Sequence, residues 1–255
     1  MSRYGNEIDY RSSHQAPGKG ESYDASFKKC PYRAFIWKCE QNILDRIIKQ
    51  LCYNQEINYL DFACGTGRIL AYLEDRTSTA TGIDVSTSML DVAKHNVKRA
   101  KLIQADITRG CTLSNCKYNL ITAFRFFTNA EDSLRKEAIT ILSNLLSQDG
   151  YLIFNIHNNP LSLLNRLSRF LRRGGHERGM TFHEAQSLTK EAGLKIVKVY
   201  HIGLLPITEN HFILPTSLLK SIESIASVCP FCRDLSQYLI LVCKKSASLM
   251  ETTKT

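Results

Sequence analysis

The stretch YLDFACGTGRIL, Tyr59–Leu70, decides how the rest of the chain is read. An apolar run leads into two glycines and then into a continuation with helical spacing, the local signature of strand, tight loop and helix. Loops of this kind hold nucleotides, and the dinucleotide form has a third glycine and, roughly 20 positions on, an acidic residue for a ribose hydroxyl. Gly65 and Gly67 supply two glycines, Leu70 stands in the third position, and Asp84 lies at the ribose distance. On these residues alone the loop is ambiguous. Asp61 tips it: a carboxylate two residues ahead of the turn repels a pyrophosphate and favours a ligand bearing an ammonium and a sulfonium.

Outward from the loop, strand-like and helix-like segments alternate. NYLDFA, TATGIDV, AKLIQAD, YNLITAF, the turn and strand QDGYLIFNI, LKIVKVYHI and SQYLILVCKK read as strands. GRILAYLED, STSMLDVAKHNV (with Ser86 or Ser88 as its cap), SLRKEAITILSNLLS and HEAQSLTKEAG read as helices, and FIWKCEQNILDRIIKQL upstream as an amphipathic one. The alternation predicts an α/β fold, a doubly wound, mostly parallel sheet covered on both faces. Ligands of such sheets bind beyond the carboxyl ends of the strands. The expected organisation is a loose arm over 1–34, with Pro17, Gly18 and Gly20 as breakers, and one domain over 35–246. Insertions at Asn158–Thr181 and Gly203–Cys232 face the substrate, and 247–255 form a tail.

Composition narrows the setting. The longest apolar runs, such as Tyr238–Cys243, are far short of a membrane span, and the N-terminus has no apolar signal core. The nine cysteines are scattered, and CPFC (Cys229–Cys232) has no second pair to complete a zinc site. A soluble, cytoplasmic protein with reduced thiols and no metal is expected. The net charge of +9 favours anionic partners. Part of the excess is local, at Arg166, Arg169, Arg172, Arg173 and Arg178. This cluster reads as a solvated face or as a docking surface for a phosphorylated substrate, an anionic lipid or RNA.

LDFACGTG, GIDVSTSMLDVAK, LIQADI, YNLITAF and LLSQDGYLIFNI occur in the order of the class I S-adenosylmethionine-dependent methyltransferases, which the chain resembles over Asn58–Ile156. The remaining strands suit that family's seven-stranded sheet with its antiparallel last strand. The resemblance implies S-adenosyl-L-methionine as cofactor. It implies that Asp61 and the backbone of Ala63, Cys64, Gly65 and Gly67 hold the methionine part, and that Asp84 accepts both ribose hydroxyls. Met89 would pack on the adenine, Asp106 and the Ile107 backbone would meet its amino group, and Phe124 and Arg125 would border the methyl. Asp106 also reads as a simple turn cap, and Met89 as a core residue.

His157, after the fifth strand, is the candidate catalytic base. FRFFTN reads as a methyl-site wall of Phe126 and Phe127 with a polar tip at Asn129, and the arm with Tyr4, Tyr10, Tyr23 and Tyr32 as a lid. The absence of an Asn/Asp-Pro-Pro-aromatic motif disfavours DNA base methylation. The expected reaction is methyl transfer to oxygen or nitrogen of a small-molecule, sugar or lipid-linked acceptor, an anionic one included. An RNA or protein methyltransferase docking through the arginines stays open, as does an NAD(P)-dependent oxidoreductase or an inactive nucleotide-binding module. Oligomeric state is not legible.

Overall fold

The computed structural model describes residues 10, 18–51, 56–110, 113, 116–171, 179–207, 216–226, 229 and 231–246. Seven strands form one sheet in the order β3-β2-β1-β4-β5-β7-β6. They are β1 (Asn58–Phe62), β2 (Thr79–Asp84), β3 (Lys101–Gln104), β4 (Tyr118–Ala123), β5 (Leu146–Ile156), β6 (Leu194–Ile202) and β7 (Tyr238–Lys245). β7 runs antiparallel between β5 and β6, and every other pairing is parallel. The strand order reverses at β1, the first strand, so β1 and β4 open the crevice where ligands of this architecture sit.

Neighbouring residues of the central strands feed opposite cores. Leu60, Ile121, Phe154 and Leu241 join one hydrophobic cluster, while Tyr59, Leu120, Ile153 and Ile240 join the other. This is the two-residue alternation of a strand buried on both faces. The second face is covered by α2 (Pro31–Leu51), through Ile36, Ile43, Leu44 and Ile47, and by α3 (Arg68–Leu73). The first is covered by α5 (Asp132–Leu145) and α7 (Phe182–Glu191). α4 (Thr87–Asn96) follows β2, and its Ser86 cap accepts from the Met89 amide.

Three expectations need correction. The arm over 1–34 is not uniformly loose, because Lys19–Lys29 is helical (α1). Gly20, read as a breaker, lies inside that helix at a close approach: a Cβ there would stand 2.3 Å from the Ser88 carbonyl oxygen of α4. The following helix starts at Pro31 rather than Phe35; proline suits a first helical position because its missing N–H has no partner there in any case. The turn expected at QDG is a bulge inside β5, where the pairing with β4 shifts between Tyr118 and Leu120. Among the described residues, no helix is long and apolar enough to cross a membrane.

The missing third glycine of the nucleotide loop has a structural counterpart. Leu70 is fully buried, and room for it comes from Gly82 on β2. A Cβ at Gly82 would lie 2.4 Å from Leu70 Cδ2 and 3.0 Å from Cys64 Sγ. The small residue that allows the helix to pack on the sheet is thus on the strand instead of the helix. Gly82→Val should destabilise the protein by about 1–3 kcal/mol through overpacking. Leu70→Ala in the same chain should recover part of that loss, as read by urea denaturation.

Candidate functional site

The backbone departs from ordinary conformations where the central strands end. Ala63, Arg125 and Asn158 all have positive φ, at 53, 61 and 56°, and they stand one or two residues beyond β1, β4 and β5. Non-glycine residues held there cost of order 1–3 kcal/mol each and gather at ligand sites. Gly65 and Gly67 share the left-handed region, with φ 56 and 76°. The turn they form is closed by the Gly67 amide on the Cys64 carbonyl at 2.9 Å.

The ends of β1, β2, β3 and β4 border a cleft of about 1070 Å³ including its open mouth. Asp61, Ala63, Cys64, Gly65, Asp84, Met89, Asp106, Ile107, Phe124 and Arg125 all line it. Gly67 does not; it serves the turn. His157 does not either. It stands one side chain back, its Nε2 3.2 Å from Asn129 Oδ1 and its amide on the Thr128 hydroxyl, and Asn129 is the residue that reaches the cleft. Phe126 forms wall, edge-on to Tyr10 at 5.3 Å, whereas Phe127 points inward against Phe154. Tyr10 and Tyr23 of the arm line the cleft; Tyr4 lies outside the described residues.

Asp61 is the electrostatic centre of the site. It is buried, and its Oδ1 accepts from the Thr122 hydroxyl at 2.6 Å. With its proton committed to Asp61, Thr122 Oγ1 can only accept from the Tyr59 hydroxyl at 2.7 Å, so the chain of donors points at the carboxylate. Its Oδ2 has no hydrogen-bond partner. Burial pushes the Asp61 pKa up to about 7, against the opposing Thr122 hydroxyl and Arg68 guanidinium. An orphaned buried carboxylate oxygen on a cleft wall suits a cationic ligand group, which would satisfy it.

Asp84 is fixed by backbone donors: Gly65 N–H to Oδ2 at 2.8 Å and Ser86 N–H to Oδ1 at 2.9 Å. Both bonds fix the orientation of the carboxylate on the cleft wall. Met89 is buried on the same wall. Asp106 Oδ1 accepts from the Thr108 amide and hydroxyl, at 3.0 and 2.6 Å, so it does cap its turn while lining the cleft.

The opposite wall is basic and was only partly foreseen. Arg68 begins α3 and lines the cleft. Its guanidinium lies 4.2 Å from the Trp37 ring centroid and 4.5 Å from that of Phe27, and it pairs with the buried Glu40 at 2.9 Å. Glu40 Oε1 also takes the Asn155 amide at 3.4 Å, and Asn155 Oδ1 accepts from the Arg125 amide at 2.6 Å. One buried carboxylate thereby links helix α2 to the ends of β4 and β5. Its signal was available: Glu40 sits four residues from both Ile36 and Leu44, on the apolar stripe.

Comparisons with known proteins agree with this geometry. A family model described as a methyltransferase domain matches residues 60–150. A methyltransferase of Geobacillus sp. (strain WCH70) is 26% identical over 142 residues, 53% of this chain and 55% of the relative. An uncharacterized methyltransferase of Oceanobacillus iheyensis is 24% identical over 110 residues, 43% of this chain and 51% of the relative. The chain therefore spans about half the length of the curated relatives it matches. Among solved structures, a methyltransferase from Archaeoglobus fulgidus has a TM-score of 0.58 at 14% identity, covering 88% of this chain and 99% of that one. The magnesium protoporphyrin IX methyltransferase of Synechocystis PCC 6803, solved with bound S-adenosylhomocysteine, has a TM-score of 0.56 at 11% identity, covering 95% and 90%. Residues 60–150 thus resemble a methyltransferase domain, and the chain shares the fold of these solved methyltransferases.

The raised pKa of Asp61 makes a signed prediction for the ligand-free protein. Its stabilising contribution is fully present below the unfolded carboxylate value and is lost as pH rises through about 7. Denaturation midpoints should therefore fall between about pH 4 and pH 7 relative to Asp61→Asn. Equal pH slopes for the two proteins would refute the assignment.

Proposed function

We propose that the chain is a methyltransferase that moves a methyl group from S-adenosyl-L-methionine to an oxygen or nitrogen of a small-molecule, sugar or lipid-linked acceptor. The carrying observation is Asp61 Oδ2, buried on the cleft wall and without a hydrogen-bond partner. A buried carboxylate there favours a cation and disfavours the pyrophosphate of a dinucleotide. The bound S-adenosylhomocysteine of the Synechocystis enzyme supports the same donor here. When bound, the cofactor supplies a methyl group already activated on a sulfonium.

The chain's own residues then have separable tasks. Asp61 neutralises the ammonium, and Asp84, oriented by Gly65 and Ser86, accepts the ribose hydroxyls. Met89 packs on the adenine beside Asp106 and Ile107. Phe124, Arg125, Phe126 and Asn129 wall the acceptor side, and Tyr10 and Tyr23 exclude water above it, which methyl transfer requires along with alignment. For a hydroxyl acceptor a proton must leave. His157 is the titratable group that meets the wall through one hydrogen bond, and it holds Asn129 in place from behind. A cytoplasmic location accords with the scattered cysteines, among which those described are free thiols.

Calorimetry tests the donor. S-adenosylhomocysteine should bind and NADH should not; the reverse result removes the reading. Asp84→Ala should weaken S-adenosylhomocysteine binding about tenfold or more, because hydrogen bonds to a charged acceptor contribute roughly 1.5–3 kcal/mol each. The ligand's ammonium holds Asp61 ionised. Below pH of about 7 binding should release a proton, and affinity should drop by up to roughly tenfold per pH unit. Asp61→Asn should lose that dependence.

A further inference from the structure

After β5 the chain forms the helix α6 (Leu163–Phe170), which is built inside out. Its buried side is polar. The capping Ser162 hydroxyl accepts from the Asn165 amide at 3.3 Å, and Asn165 Nδ2 donates to the Asn159 carbonyl at 2.8 Å. Asn159 in turn donates to the carbonyls of Asp234 and Ser236. Ser162, Asn165 and Asn159 are all buried. The outward side is apolar: Phe170 is 82% exposed, Leu171 48% and Leu167 44%. Their spacing of three and four residues places them on one stripe. A helix that has only water outside orients the other way.

Charge says what covers the stripe. Arg166 and Arg169 flank it, both exposed, each tied by one N–H to the carbonyl of the loop before the helix (Leu161 and Pro160, at 2.9 and 2.7 Å). The sequence has no acidic residue between Asp149 and Glu177 and continues with Arg172 and Arg173; Arg172, Arg173 and Arg178 lie outside the described residues. The nearby Asp234 carboxylate is already held by Arg233 at 2.9 and 3.0 Å. We infer that α6 docks on an anionic membrane surface, with Phe170, Leu167 and Leu171 entering the boundary between headgroups and acyl chains and Arg166 and Arg169 meeting lipid phosphates.

An interfacial helix needs this pairing of a large apolar wedge with a basic rim. A symmetric contact with a second copy would set arginines against arginines. RNA would meet the arginines but leave the aliphatic part of the stripe without a partner. Asn158 turns the chain out of β5 at the carboxyl edge of the sheet, so docking by α6 brings the edge that carries the cleft to the lipid. The inference does not rest on the methyl-transfer reading.

Co-sedimentation of the full chain with phosphatidylcholine vesicles, with and without phosphatidylglycerol, tests it. Binding should require phosphatidylglycerol and weaken with added salt. The pair Leu167→Ser and Phe170→Ser should lower vesicle affinity about tenfold or more, and Arg166→Gln and Arg169→Gln about fivefold each. Thermal unfolding should be unchanged, since all four side chains are exposed. The inference is overturned if anionic vesicles do not retain the protein, or if the serine pair leaves retention intact. It is equally overturned by a dimer, seen in light scattering, that the serine pair dissolves, or by retention on an RNA homopolymer with the same variant pattern.

Discussion

Asp61 Oδ1 accepts from the Thr122 hydroxyl across the junction of β1 and β4, at the level where both strands end. That bond does two jobs at once. It occupies one oxygen of a buried carboxylate and leaves the other facing the cleft, and it pins the two strands whose divergence opens the crevice. Tyr59, donating to Thr122 from two residues back, extends the arrangement into the core. A negative charge in the interior is tolerable only with partners, and here one partner is supplied by the fold while the other position is kept for a ligand.

The rest of the site is an answer to the same constraint. Left-handed backbone at Ala63 and Arg125 turns the ends of β1 and β4 where they border the cleft. Asp84 is aimed by the Gly65 and Ser86 amides. On the far wall Glu40 compensates Arg68 and, through Asn155, holds the Arg125 backbone. Acidic Asp61, Asp84 and Asp106 and basic Arg68 and Arg125 therefore line one cleft. Preorganisation of this kind spares the ligand much of the ordering cost of binding.

Much of this was legible in the sequence. The strands with continuous apolar runs and the helices with a clean stripe were read at nearly their observed bounds, since burial on one or two faces writes the period directly into the residues. Asp61, Asp84 and Asp106 are legible as cleft residues because each sits at or just beyond the carboxyl end of a strand, and Met89 because it lies in the first turn of the helix after β2. What stayed hidden depends on contacts between distant parts of the chain. Helix α1 has little apolar periodicity and is held by its fit on α4, so Gly20 looked like a breaker. Gly82 looked like any strand glycine until Leu70 was seen above it. His157 has the right position after β5 but lies behind Asn129, a matter of side-chain depth on which spacing is silent. The Glu40–Arg68 pair joins two helices 28 residues apart and has no local motif.

The alternation of β1 has one more consequence. Tyr59 and Asp61 share a face, and Leu60 lies on the other, so a slip of β1 by one residue against β4 would drive the carboxylate among the leucines and phenylalanines of the first core. No hydroxyl waits there, and the misplaced charge would cost far more than the apolar contacts regained. The carboxylate that lines the cleft thus also favours the observed register of β1 on β4 over a one-residue slip.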